Sequence, residues 1–261
     1  MKPNVAILTG FGLNCERETA FVFEKAGANI EYVHINDIIL GAKKLSDYQI
    51  LAFIGGFAFG DHIASGRVLA IKFKYKLYDQ LMEYISKDNL IIGICNGSQT
   101  LVKLGILPGN PEFKHQQVAS LTHNDNPGYR DDWVMLKANK NSPCVFTKDI
   151  DYIEVPIRHG EGKFVCNENV LSTLKANNQV VFQYVHPISL EPTMDFPYNP
   201  NGSIDAIAGI CSPDGRIFGL MPHPEAFHTN YNHPLWYVGK KDIFSSGMGM
   251  KIFENAIKYF V

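Results

Sequence analysis

Between residues 5 and 101 the chain alternates apolar, β-branched runs with helical patterns, and that alternation restricts its fold more than any other feature. "VAILTG" (5–10) precedes "NCERETAFVFEKAGA" (14–28), whose Ala20, Phe21, Phe23 and Ala26 form one helical face that ends at Gly27. "NIEYVHI" (29–35) and "QILAFIGG" (49–56) read as the next strands, "RVLAIKFKYKLYDQLMEYISK" (67–87) as one long helix, and "LIIGI" (90–94) as a buried strand. Strands joined through helices lie parallel with right-handed crossovers. The expected class is therefore α/β, a doubly wound, mostly parallel sheet flanked by helices. Ligands of such sheets gather at the carboxyl ends of the strands. The second half reads differently: "YIEVPIRHGEGKFV" (152–165), "QVVFQYV" (179–185) and "AIAGICSPDGRIFGLMPHPE" (206–225) suggest strands, with Pro213-Asp214-Gly215 as a hairpin turn. The Pro- and Asn-rich stretch 186–203 reads as a loop, and no repeat or linker interrupts the chain. One domain over residues 1–261 is expected.

At the end of the strand before residue 95 the sequence runs "GICNGSQ" (93–99) without any spacer before the next helix. A strand that turns straight into a helix holds the residue at the turn in a crowded backbone, so its neighbours two before and two after must be small. Gly93 and Gly97 occupy those places around Cys95. This is the nucleophile elbow with sulfur for oxygen, and it aims the amides of a helix N-terminus at the side chain. A bare G-x-C-x-G also fits a small buried cysteine in an ordinary βα turn, so a partner base has to decide. One stands at "LMPHPE" (220–225), where His223 follows Cys95 by 223 − 95 = 128 positions. In an extended stretch residues two apart share a side, which lets Glu225 reach the imidazole and fix its tautomer. Cys95, His223 and Glu225 thus read as nucleophile, base and acid. The glycines of "IGGFAFGD" (54–61) allow backbone amides to approach a reacting centre and, with the Asn96 amide, to form an oxyanion hole; the stretch is neither a Walker loop nor GxGxxG.

The rest of the composition narrows the setting. The formal net charge is −2, with no Lys/Arg-rich run, which argues against nucleic acid or a membrane surface as main partner. No apolar stretch approaches a membrane span, the N-terminus is too short and strand-like for a signal peptide, and a cytoplasmic location is expected. The five cysteines, 15, 95, 144, 166 and 211, form no CxxC pair, which fits a reducing compartment and no cysteine-clustered zinc site. Cys15, Cys144, Cys166 and Cys211 read as packing residues. His223, His228 and His233 recur in steps of five, which match no helix face, and no metal site is expected.

Taken together, "GICNGSQ", "IGGFAFGD" and "MPHPE" resemble the class I glutamine amidotransferases, whose fold is flavodoxin-like. The further stretches "GLNCERE" (12–18), "PIRHGEGKF" (156–164) and "NPNGSIDAIAGICSPDGRIFGLMPHPE" (199–225) are similar to the family of glutaminase subunits of phosphoribosylformylglycinamidine synthases, in de novo purine synthesis. The resemblance runs from about residue 4 to residue 225. It implies hydrolysis of L-glutamine to glutamate and ammonia by a Cys95–His223–Glu225 triad. Gly56, Phe57 and Asn96 would line the oxyanion hole, and Gln99, His159 and Gly160 would lie at the glutamine pocket. It implies no cofactor in this chain, ATP and Mg being used by a partner, the large synthetase subunit, with a small bridging subunit beside it. A loop insertion near 186–200 and a C-terminal extension over 226–261 depart from the family pattern. A cysteine hydrolase or peptidase on the same fold would share the elbow and triad but has no reason to carry "GGFAFGD" and "HGEG" together. A catalytically silent docking module has no need of an intact triad.

Overall fold

The computed structural model describes residues 2–238 and 245–261. In chain order these form β1 (Asn4–Thr9), α1 (Glu16–Ala26), β2 (Asn29–His34), α2 (Ile35–Ile39), β3 (Ile50–Phe53), α3 (Arg67–Lys76), α4 (Tyr78–Ser86), β4 (Leu90–Ile94) and α5 (Asn96–Leu104). There follow β5 (Ala119–Thr122), β6 (Arg130–Ala138), β7 (Tyr152–His159), β8 (Lys163–Cys166), α6 (Glu168–Ala176), β9 (Val180–Tyr184), β10 (Ile207–Cys211), β11 (Ile217–Leu220) and α7 (Met250–Lys258). The main sheet has the order β2-β1-β3-β4-β11-β10-β9-β6-β7, and β5 pairs with β8 apart from it. From β2 to β11 all pairings are parallel, and from β11 to β7 each is antiparallel. Seen along the sheet, β10 and β6 alone run against the other strands.

The two halves follow from their sequences. In β3 and β4 every residue is buried, as both faces of a parallel sheet carry helices. In β6 buried and partly exposed residues alternate from Trp133 onward, the mark of a sheet with one wet face. The Pro213-Asp214-Gly215 turn joins β10 to β11 in the register Gly209↔Leu220 and Cys211↔Phe218. Because β11 then lies parallel to β4, with antiparallel β10 on its other side, Leu220 sits beside Ile94. The chain therefore leaves both strands at the same end of the sheet, the carboxyl end of its parallel strands.

Four expectations need correction or extension. The stretch 67–87 is two helices, broken at Leu77, whose φ of −131° leaves the helical region. No Pro or Gly marks the break, and Leu77 itself stays bonded on both sides, its amide donating to Phe73 and its carbonyl accepting from Leu81 at 2.9 Å. The bend lets Phe73, Leu77 and Leu81 all face the core. On α1 the buried face is Thr19, Ala20, Val22 and Phe23, while Phe21 is 46% exposed and packs on the His228 ring. The face is rotated because α7 covers it, with Phe253 edge-on to Phe23 at 5.0 Å. That helix ties the last residues into the core: Ile252, Phe253 and Ala256 are fully buried, and the Asn255 amide donates to the Phe146 and Lys148 carbonyls. The strands β5 and β6 lie outside the stretches read as strands from the sequence. The 186–200 stretch is irregular, closed at one end by a bridge between Val185 and Pro192.

Candidate active site

β4 ends at Ile94 and α5 begins at Asn96, leaving Cys95 alone at the turn with φ 50° and ψ −108°. Few L-residues hold such a backbone, and its neighbours enforce it. The Cys95 amide donates to Leu220 at 2.8 Å and its carbonyl accepts from Gln99 at 3.0 Å. A Cβ on Gly93 would fall 2.5 Å from Leu101 Cδ1, and one on Gly97 would run into the Phe53 carbonyl. The spacing read from the sequence therefore has a steric cause on both sides of the thiol.

His223 arrives three residues beyond the end of β11, which the parallel register brings alongside the elbow. Its amide donates to the Pro156 carbonyl at 2.8 Å, and its Nδ1 lies 2.6 Å from Glu225 Oε1. Glu225 reaches it from a 3₁₀ turn, Pro224–Ala226, and not from an extended strand. Histidine and glutamate are 2% and 0% exposed. Burial works against charge on the imidazole, but the Glu225 carboxylate, with Cys95 and Cys15, more than offsets it, so the His223 pKa is raised well above the ordinary histidine range and the ring is a strong acceptor for a thiol proton. Nε2 of His223 makes no hydrogen bond of good geometry, which leaves it open to the Cys95 thiol. Apo hydrogen bonds of catalytic groups are often loose in this way.

Cys15, read from the sequence as a packing residue, is part of this assembly. Its sulfur, His223 and Glu225 place ligand atoms within 4.8 Å of one another, and all three are buried. Burial raises the Cys15 thiol pKa, an effect that the nearby His223 imidazole opposes. It is brought there by a zipper of backbone bonds that no spacing rule reveals. The Asn14 and Cys15 amides donate to Gly55, Phe57 donates to Gly12 at 2.9 Å, and Phe59 to Phe11. Arg158 is a second residue outside the sequence reading: its Nη2 lies 3.9 Å from Glu225 Oε1 and 4.0 Å from Glu18 Oε1, and its carbonyl faces the Cys95 sulfur at 3.7 Å.

Beside Cys95 opens a cavity of about 270 Å³ that Gly56, Phe57, Gln99, His159 and Gly160 also line. Asn96 is fully buried, and its N–H, the first of α5, has no intrahelical acceptor. The Phe57 amide, in contrast, is turned to Gly12. Asn96 Nδ2 donates to Asp61 and to Gln99 Oε1, and Gln99 Nε2 donates to the Glu161 carbonyl at 2.6 Å. Gln99 thus fixes the "HGEG" wall of the cavity. Both ring nitrogens of His159 are buried without hydrogen-bond partners. Burial and the nearby charge of His223 push its pKa down to about 3, so it is neutral. Asp61 and Glu161 both line the cavity, and burial raises the Asp61 carboxyl. His233 instead contacts Glu154 and the Trp133 ring, and His228 the Phe21 ring. Among the described residues no helix is long and apolar enough to cross a membrane.

Residues 2–260 match the model of the CobB/CobQ-like glutamine amidotransferase domain. The match takes in the segment after Glu225 that the resemblance had left outside. A relative from Methanococcus maripaludis strain C7, named phosphoribosylformylglycinamidine synthase subunit PurQ, is 44% identical over 99% of this chain and 97% of its own length. One of the same name from Dehalococcoides mccartyi is 42% identical over 99% of this chain and 98% of its own. Among solved structures, a chain of the PurLQS structure from Thermotoga maritima superposes with a TM-score of 0.74 at 28% identity, covering 100% of both chains.

Proposed function

Because the chain belongs to the CobB/CobQ-like glutamine amidotransferase family, we propose that it is the glutaminase subunit of a phosphoribosylformylglycinamidine synthase and works in the cytoplasm. It hydrolyses L-glutamine and passes ammonia to a large synthetase subunit that uses ATP and Mg, with a small bridging subunit between them. The observation that carries the reading is the buried His223–Glu225 pair at 2.6 Å, set against a cysteine on a strained elbow.

The chemistry follows from the protons. His223 takes the Cys95 proton, the sulfur adds to the side-chain carboxamide carbon, and the oxygen gains the negative charge. Asn96 N–H, at the positive end of α5, is aimed to stabilise that charge. His223 returns the proton to the departing nitrogen, releasing ammonia and leaving a glutamyl thioester. The imidazole then takes a proton from water, hydroxide adds to the thioester, and Cys95 leaves as the thiol with the proton that His223 gives back. Gln99, His159 and Gly160 bound the space for the glutamine, and neutral His159 offers no acidic proton to the ammonia formed beside it.

The conformation described supplies one oxyanion donor of the expected pair, since the Phe57 amide serves Gly12. Rotation of the Gly56–Phe57 peptide would free it. Gly56 holds φ at 139°, where a side chain would be strained and a Cβ would meet Leu13 Cα at 2.7 Å. Closing the hole only in the complex would keep the lone chain from wasting glutamine.

The deciding experiment is Cys95→Ala in the reconstituted synthase, assayed with glutamine and separately with ammonium salt. Loss of the glutamine-dependent product with ammonium-dependent synthesis retained is expected, because the thiol serves only to make ammonia. Equal loss of both would refute the division of labour.

A further inference from the structure

The triad uses one thiol at His223, and the fold brings two. Cys15 is 5% exposed and has no role in the hydrolytic cycle, yet its sulfur is held against the same imidazole and carboxylate that the nucleophile needs. Glu225 Oε2 is buried beside it without a hydrogen-bond partner. We propose that Cys15, His223 and Glu225 form a binding site for zinc, or a divalent cation of similar softness, and that the bound ion switches the triad off.

The donor set decides the class of ion. Thiolate, imidazole and carboxylate are the ligands of zinc, whereas magnesium and calcium avoid sulfur. At zinc bond lengths of roughly 2.0–2.3 Å, tetrahedral ligand atoms stand about 3.5 Å apart. The three groups already lie within 4.8 Å, so the widest-spaced atoms need approach by only about 1.3 Å to reach that spacing. Arg158, 3.9 Å from Glu225, opposes an unbalanced cation. Two anionic ligands, the Cys15 thiolate and the Glu225 carboxylate, cancel the charge of one divalent ion; the Cys15 proton and that on the coordinating nitrogen of His223 leave to solvent. Once His223 is a metal ligand, pinned toward Cys15 and carrying the ion's charge, it cannot take the Cys95 proton. Removal of the ion restores the base.

The test uses the metal-free full-length chain with ZnCl₂ and CoCl₂, and its binding arm does not depend on the hydrolytic reading. Cobalt reports a thiolate ligand by a charge-transfer band in the near ultraviolet. Cys95→Ala should keep that band, and Cys15→Ala should lose it with at least tenfold weaker zinc binding by competition. In glutamine hydrolysis, the ratio of rates with and without zinc should shift at least tenfold to higher zinc for Cys15→Ala. Cys15→Ser, close to isosteric, provides the same readings if the alanine protein misfolds. A band lost in Cys95→Ala and kept in Cys15→Ala would place the ion on the nucleophile, and equal zinc affinity in all variants would place it elsewhere. Either result overturns the proposal.

Discussion

Gly55 has an ordinary backbone conformation, yet the site leaves it no room for a side chain. A Cβ there would stand 2.8 Å from His223 Cε1 and 2.9 Å from Cys15 Sγ. Carbon atoms pack at about 3.5 Å or more, so Gly55→Ala requires roughly 0.7 Å of retreat. The imidazole cannot absorb this freely, because its Nδ1 is bonded to the buried Glu225 at 2.6 Å and its amide to Pro156. Displacement on the order of an ångström at a reacting group costs about 10² in rate, or about 2.7 kcal/mol of barrier. The overpacking itself should cost about 1–3 kcal/mol of stability. Gly55 does not line the cavity, so KM should stay within a few-fold. The assay is steady-state glutamate release by the complex, with circular dichroism and thermal melting to establish that the variant folds. A folded Gly55→Ala protein with wild-type kcat would refute the claim that this contact sets the distance between base and thiol.

Glu225→Gln should retain more glutaminase activity than His223→Ala, since the carboxylate orients and stabilises a base that transfers protons in both half-reactions; equal inactivity in two folded proteins would give Glu225 a larger part. The lone chain should hydrolyse glutamine slowly and accelerate when the synthetase partner binds with its substrate or nucleotide. A hundredfold activation corresponds to about 2.7 kcal/mol of preference for the competent conformer; equal kcat alone and in complex would rule out control through the Phe57 peptide. His159 should steepen acid unfolding. Its folded pKa of about 3 lies below the unfolded value of about 6.5, so its contribution is present above that pH and is lost as pH falls toward 3, at up to about 1.4 kcal/mol per unit. Urea melts between about pH 6 and pH 4 should show a shallower acid limb for His159→Gln; parallel limbs would mean that His159 charges in the folded state.

What the sequence made legible was local. The elbow could be read because its constraint spans only Gly93 to Gly97, and the parallel half of the sheet because β1 to β4 alternate with helices in order. His223 and Glu225 lie two apart, so their pairing was open to reading as well. Cys15 was not, since it reaches the site through backbone bonds between residues 11–15 and 55–59, which follow no periodicity. Arg158 ends up beside Glu225 although 67 residues, counted as 225 − 158, separate them. The break at Leu77 escaped for another reason: no Pro or Gly marks it, and Leu77 itself is buried in the core that the two helices face. Pairings of β6 depend on partners from β7 and β9, and its charged start, "RDD", hides the strand.

The seating of β11 between β4 and β10 also imposes a timetable on a chain made from its amino end. Until residue 217 has been synthesised, β4 has a partner on one side alone, β3, and its fully apolar run presents an open edge. Such edges recruit other strands. From Cys95 to Glu225 is 225 − 95 = 130 residues, which translation at about 5–20 residues per second covers in on the order of ten seconds. Throughout that interval the nascent polypeptide carries the proposed nucleophile, Cys95, without its proposed base, His223. The thiol is harmless to its surroundings for as long as the edge beside it is hazardous, and both conditions end when one strand is inserted. Fragments that stop short of residue 217 should therefore aggregate as inert protein and not survive as crippled enzyme.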